Sequence, residues 1–356
     1  MIINDYGYIP ETINENPDTI PARVTAVHKG RYELMCEYGP CFGKLKQKNY
    51  YNSSSDSVPT TGDFVLIYYN SQGDSQITST LPRRSKFSRS DFSGHAAGYA
   101  KNICEQVVAS NFDYVFILQS LNNDFNVRRL ERYLAIALQS GGTPVVILTK
   151  ADLADELSET EQFVKKTFPQ VNAHVVSSKT GLGLEDLARY FEPRKTIVFL
   201  GSSGVGKSSL VNALAGEEIM HISDIRENDS KGRHTTTHRQ LIMLKCGAMI
   251  IDTPGMRELG MWDVSEGLSD AFTDVEQYFG KCRFSDCRHH GEPGCAIKDA
   301  IDKGELSQDR WESYLSLVSE AGFIENKSAY LQEKKEKFKS IAKMQNSINK
   351  RRGFKK

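Results

Sequence analysis

The run GSSGVGKSS, residues 201–209, sets Gly201, four further residues, then Gly206, Lys207 and Ser208 in the spacing of a loop that wraps nucleotide phosphates. Small residues let successive backbone N–H groups turn toward phosphate oxygens at a helix N-terminus, whose dipole favours anions. Gly201, Ser202, Ser203, Gly204, Val205, Gly206 and Ser209 would form the cradle, Lys207 would bridge the terminal phosphates, and the Ser208 hydroxyl would bind Mg2+. Further on, MIIDTPG supplies Asp252, a carboxylate at the end of an apolar run that can hold Mg2+ through water, and Gly255, whose backbone is free to approach a γ-phosphate. Between the two lies EEIMHISDIRENDSKGRHTTTHR, polar and poorly periodic, as expected of a segment that orders around Mg2+ and a γ-phosphate. One threonine of Thr235, Thr236 and Thr237 should reach the metal, and Thr236 is our choice.

A base reader accompanies this loop, but it comes first in the chain. In LTKADL, residues 148–153, the Asp152 carboxylate can accept both N1–H and the exocyclic N–H of guanine, while the Lys150 stem covers the base and Thr149 and Ala151 complete the motif. A site built for those hydrogen bonds rejects an analogue that leaves it unpaired, so guanine is the expected base. Further along, VVSSKTGLG ends another apolar run and offers Ser177, Ser178 and Lys179 as a loop whose backbone contacts the guanine oxygen. The parts therefore run base, base, phosphate, switch, switch. This is a GTPase domain in circularly permuted order, which strand pairing tolerates because domain termini usually lie at the surface and often close together.

A second constellation, KCRFSDCRHHGEPGCAI, gathers Cys282, Cys287, His289 and Cys295, with His290 able to replace His289. Three thiolates and an imidazole suit tetrahedral Zn2+, and with no open position the ion would be structural. Such a site can supply on the order of 10 kcal/mol of folding free energy to a small module.

These groups need elements to hold them. DYVFIL, PVVILTK, HVVSSK, TIVFLG and MIIDTPG read as short buried parallel strands, and LERYLAIALQ as a helix with Leu130, Tyr133, Leu134, Ala137 and Leu138 on one face. Together they predict a doubly wound α/β domain over residues 111–263. Ahead of it, RVTAVHKGRYELMCEYG and GDFVLIYYN alternate and are broken by turn clusters, which predicts an all-β OB-fold barrel over 20–84, behind an N-terminal tail, 1–19. Its Arg23, Lys29, Arg31, Lys44, Lys46 and Lys48 suit either nucleic-acid contact or a solvated spacer. The stretch 85–110 reads as a basic linker; Arg83 and Arg84 just before it and Lys86 and Arg89 within it suit either phosphate contact or solvation of the linker. Residues 264–330 read as a helical zinc-binding domain, and 331–356 as a basic C-terminal tail with ten Lys and Arg against Glu333 and Glu336.

The whole chain of 356 residues exceeds what a single core usually serves. Lys plus Arg equals Asp plus Glu at 45 each, so net charge selects no partner and only local clusters can. The N-terminus lacks a basic start before an apolar run, and no unbroken apolar segment of about 18 residues occurs. With seven cysteines, three of them crowded beside histidines, the composition favours metal binding over disulfides and predicts a soluble, cytoplasmic protein without a membrane anchor.

Taken with TKAD, SSK, GSSGVGKSS, GRHTTTHR, DTPG and CRFSDCRHHGEPGC in that order, the chain resembles the ribosome small subunit-dependent GTPase A family from its barrel to its zinc segment. The resemblance implies a GTPase that binds the small ribosomal subunit late in maturation, hydrolyses GTP to GDP faster when bound, and then leaves. It also supports the OB-fold and Zn2+ at the four ligands named. Thr149 departs from the family, which usually has Asn there; fewer bonds to base and loop should lower nucleotide affinity without changing the choice of guanine.

After DTPG comes Met256, which cannot orient an attacking water. Hydrolysis depends on positioning and charge stabilisation, so a docked subunit is expected to complete the site, with His234 fixed near the water. The basic tail is expected to bind rRNA by releasing counterions, and the protein to act as a monomer. Two other readings stand beside this one: a nucleotide-gated RNA-binding protein with little turnover, which Met256 suggests, and a P-loop kinase, against which TKAD speaks.

Overall fold

The computed structural model describes residues 3–10, 18–46, 50, 57–91, 104–122, 125–154, 157–220, 239–252, 265–289 and 292–321. His234, Thr236 and Gly255 lie outside these described residues, as do Met256, His290, Lys48 and the basic tail.

The alternating segments near the N-terminus form five strands: β1 (Ile20–His28), β2 (Arg31–Cys36), β3 (Gly39–Leu45), β4 (Phe64–Tyr68) and β5 (Ser75–Thr80). They pair in the order β1-β2-β3-β5-β4 and close through β1–β4, with β3 and β5 parallel. This is the expected OB-fold barrel, and its inward residues Ala22, Val24, Leu34, Val65, Ile67 and Ile77 are buried together.

Arg23 corrects the reading of the barrel's cations as solvent-facing. It is fully buried, and its guanidinium donates to Gly62 O at 3.2 Å, Asn111 O at 2.9 Å, Thr196 Oγ1 at 3.0 Å and Tyr6 O. Burial lowers its pKa to about 9, so it stays cationic at neutral pH, held by backbone and hydroxyl oxygens from four separate segments. Arg31 and Lys44 do face outward, but both pair with Asp74.

The expected linker differs as well. Within it β6 (Lys86–Asp91) and β7 (Cys104–Ser110) form an antiparallel ribbon whose Phe87, Val107, Val108 and Ala109 are buried. Its basic residues are engaged locally: Arg83 with Asp63, Lys86 with Glu105, and Arg89 with Gln106. Its apolar content is one residue, Phe87, on β6 and the three-residue run Val107–Ala109 on β7, too short to stand out from the charge around it.

Six further strands extend the same sheet beyond β1, joined to it where Ala26 pairs with Gln240: β8 (Tyr114–Ser120), β9 (Thr143–Thr149), β10 (Asn172–Val175), β11 (Thr196–Gly201), β12 (Gln240–Met243) and β13 (Met249–Asp252). Their order is β10-β9-β8-β11-β13-β12, parallel except for β12. Period-two alternation sends Val115 and Ile117 to one face and Phe116 and Leu118 to the other, and both faces are covered, which is why the strands read as unbroken apolar runs. Each buried side chain of this kind contributes about 1.5–3 kcal/mol relative to exposure.

Helix α1 (Val127–Gln139) begins at Asn126, whose side chain accepts from Arg129 N at 2.9 Å. It buries Leu130, Tyr133, Leu134 and Ala137 as expected, but also Glu131, Ala135 and Ile136, because C-terminal helices cover its second side. Helices α2 (Leu157–Thr167) and α3 (Lys207–Ala215) complete the nucleotide fold. The C-terminal part is helical: α4 (Ser265–Ala271), α5 (Thr273–Glu276), α6 (Ala296–Asp302) and a final helix over 308–321. Arg310 ties it to α1 through Glu131 at 2.7 Å and to α5 through Asp274 at 2.8 Å. No helix among the described residues is long and apolar enough to cross a membrane.

Candidate nucleotide site and metal centre

In a parallel sheet the carboxyl ends of the strands share one edge, where crossover loops leave room for ligands. Here β9 ends in Thr149, β10 leads to Ser177, β11 ends in Gly201 and β13 ends in Asp252. Four motifs scattered over a hundred residues therefore meet on one rim.

The phosphate loop runs from Gly201 to α3. Gly206 has φ +104°, a left-handed conformation that only glycine adopts freely, and it turns the chain so that Lys207 opens the helix. Ser202, Ser208 and Ser209 are half-buried along the loop and first turn, Ser203 and Gly204 are exposed, and Val205 anchors the loop in the core. Lys207 Nζ lies 2.5 Å from Asp252 Oδ1, so the ammonium and the carboxylate that would serve phosphate and metal converge on one point.

The base motif is braced rather than free. Thr149 is buried, and its hydroxyl donates to Val205 O at 2.6 Å with Gln119 O 3.4 Å away. Lys150 takes a left-handed φ of +60°, unusual for a side-chain-bearing residue, and the turn after it is pinned by Ala151 N donating to Val176 O at 3.1 Å. Asp152 is exposed at the rim, where the Ser177 hydroxyl donates to its Oδ1 at 2.7 Å. That hydrogen bond, with help from Lys179 and Lys150, holds the carboxyl below the usual range. Ser177 thus turns inward to orient the Asp152 carboxylate, a side-chain role that the motif alone did not reveal. Ser178 is half-buried and Lys179 exposed beside it.

At the C-terminal cluster, His289 Nδ1 lies 3.5 Å from Cys282 Sγ, 3.7 Å from Cys287 Sγ and 3.5 Å from Cys295 Sγ, and all four donor atoms fall within 4.8 Å of one another. Tetrahedral bonds of roughly 2.3 Å to sulfur and 2.0–2.1 Å to nitrogen set S and N roughly 3.5 Å apart, so the donor set fits Zn2+. Ala296 N donates to Cys282 Sγ at 3.4 Å, and Phe279 stacks on His289 with centroids 5.2 Å apart. Such outer contacts fix ligand orientation.

Comparison with known proteins agrees with this geometry. A family model described as RsgA GTPase matches residues 80–262. The chain is 44% identical over 323 residues to a small ribosomal subunit biogenesis GTPase RsgA 2 of Listeria monocytogenes, covering 90% of each chain. It is 42% identical to the RsgA of Methanosarcina acetivorans, covering 76% of this chain and 72% of the relative. Among solved structures it is similar to YjeQ from Thermotoga maritima, with TM-score 0.63, 26% identity and coverage of 85% of this chain and 98% of that one. The fold is also that of YloQ, a circularly permuted GTPase, with TM-score 0.59, 22% identity and coverage of 88% and 98%.

Proposed function

The chain belongs to the RsgA GTPase family, and from that premise we propose that it binds the small ribosomal subunit late in its maturation, hydrolyses GTP to GDP and phosphate faster when bound, and then leaves. The observation that carries this reading is the convergence of Asp152, the 201–209 loop and Asp252 at the carboxyl ends of the adjacent parallel strands of one sheet, in permuted order.

In this reading the loop N–H groups and Lys207 hold the phosphates, Asp152 selects guanine, and Ser177, Ser178 and Lys179 close over the base. Thr149 holds the loop and the base motif at a fixed spacing. Ser208 and Thr236 would ligate Mg2+ and Asp252 would hold it through water, with Gly255 at the γ-phosphate; the carboxylate beside Lys207 suits that task. Bound Mg2+ neutralises phosphate charge. His234 positions the attacking water once the subunit is docked. Cys282, Cys287, His289 and Cys295 hold one Zn2+, whose chemistry is structural. The barrel, 20–84, and the basic tail contact rRNA, while the 111–263 domain hydrolyses and the 264–330 module is held by zinc; the protein works as a cytoplasmic monomer.

The test is phosphate release by the purified protein titrated with isolated small ribosomal subunits, with ATP as competitor. Turnover that rises with subunit concentration and is insensitive to ATP supports the reading. Turnover that subunits leave unchanged, or that ATP suppresses as strongly as GDP does, overturns it.

A further inference from the structure

The turn Thr60–Asp63, between β3 and β4, belongs to the barrel by sequence but is buried against the GTP-binding domain. Thr61 O accepts from Ser110 N at 3.2 Å, and the Thr61 hydroxyl donates to Arg239 O at 3.2 Å. Gly62 O accepts from Arg23 Nε and from Asn111 Nδ2, each at 3.2 Å. Gly62 has φ +96°, and a Cβ there would stand 2.1 Å from Ser110 O and 3.0 Å from Ile251 Cδ1, so backbone presses on backbone with no room for a side chain. Asp63 stiffens the turn from inside: its carboxylate accepts from Thr60 N at 2.7 Å, Ser110 Oγ at 2.6 Å and Arg83 at 2.7 Å.

The two places this turn touches matter. Ile251 immediately precedes Asp252 on β13, and Arg239 follows Thr236 closely and leads into β12, whose Gln240 pairs with Ala26 of barrel strand β1. The barrel therefore abuts the residue that precedes Asp252 and the point, three positions after Thr236 in the sequence, where the described chain enters β12. None of these contacts is needed to close the barrel, whose ladder is complete without them.

We propose that the Thr60–Asp63 turn is the wedge through which a partner bound to the barrel biases the GTP site, with Thr61 as a positioning residue for Arg239 at the entry to β12. The inference rests on the reading of a subunit-stimulated GTPase and assigns the route of that stimulation. Coupling needs a contiguous element that both sites bias, and it is reciprocal in binding free energy. Nucleotide state must then be felt at the wedge.

Two variants separate the hydrogen bond from packing: Thr61→Val removes the hydroxyl with little change of shape, and Thr61→Ser keeps it. The first measurement needs no subunits. Hydrogen exchange of the Gly62 and Ser110 amides is compared with GDP and with a non-hydrolysable GTP analogue. A difference of about tenfold is expected in the wild type and in Thr61→Ser, and its loss in Thr61→Val. The second is turnover: subunit stimulation of Thr61→Val falls about tenfold while its rate without subunits stays within about twofold, and the wild-type difference in subunit affinity between GDP and the GTP analogue shrinks with it. Equal exchange with both nucleotides in the wild type overturns the wedge, as does a Thr61→Val protein with full stimulation. Wild-type turnover that subunits do not raise overturns the functional reading instead, and the exchange comparison still decides the wedge.

Discussion

The Thr149 hydroxyl donates to the Val205 carbonyl across 2.6 Å, joining the last residue of β9 to the middle of the phosphate loop. A residue that stands in the base motif thus braces the phosphate loop. Its single proton goes to Val205, since Gln119 O is 3.4 Å away. An amide at this position has two protons and could serve both carbonyls, which is the physical content of the departure from Asn.

Thr149→Val should therefore weaken GDP and GTP binding alike, by about 1 kcal/mol or somewhat more, the worth of one buried hydrogen bond. Discrimination between guanine and adenine should not change, because it rests on Asp152. Thr149→Asn should tighten binding. Titration with fluorescent nucleotides checks all three outcomes.

Asp152→Asn replaces two acceptor oxygens with an amide that presents donors toward the donors of guanine. GTP affinity should fall about a hundredfold or more, and xanthosine triphosphate, which carries an oxygen where guanine has the exocyclic amine, should bind the variant better than GTP. Competition binding with both nucleotides measures the switch.

The Ser177 hydroxyl is the largest influence holding the Asp152 carboxyl low. A depressed carboxyl stays ionised from neutral pH down through the ordinary range near about 3.9 and loses its charge only below it. Nucleotide binding should then be insensitive to Asp152 protonation until that lower pH. In Ser177→Ala the carboxyl returns upward, and the acid limb of GDP affinity moves to higher pH. The titration of Asp152 followed by NMR in both proteins decides it.

Metal analysis should find one zinc per chain. Cys295→Ser, or prolonged chelation, should unfold the region around Trp311, whose ring lies 5.9 Å from that of His289, and shift its fluorescence. Nucleotide affinity should change little, since Asp152 and the phosphate loop belong to a different part of the fold.

Arg310→Met leaves Glu131, 2% exposed, without its buried cation, and also removes a guanidinium that sits 3.9 Å from the Phe272 ring centre. Loss of one partner from a buried pair costs about 3–5 kcal/mol, whereas removing both charges is far milder. Denaturant unfolding should show that cost for Arg310→Met, and partial recovery in the double variant with Glu131→Gln.

Much of this molecule was legible in its residues because its signals are local. Strand-ending motifs such as TIVFLG before GSSGVGKSS carry their element, its end and its chemistry within a few positions. Cys282, Cys287, His289 and Cys295 lie within one short segment, so their convergence needed little long-range structure. The ribbon β6–β7 was less legible, because charged residues at its start masked an apolar signal confined to Phe87 and the run Val107–Ala109.

The sequence by itself determined the guanine and phosphate motifs, their permuted order and the metal donor set, since each depends on residue type at fixed near spacing. Tertiary structure alone decided that Arg23 is an interior tie, that Thr149 holds the phosphate loop, that Ser177 aims Asp152, that Thr61 bonds Arg239 ahead of β12, and that Gly62 is crowded by Ser110 and by Ile251 of the strand carrying Asp252. An arginine, a threonine, a serine or a glycine has no fixed role in isolation. The hydroxyl or guanidinium donates to whichever acceptor the fold brings near, and that acceptor here comes from 17 to 178 residues away.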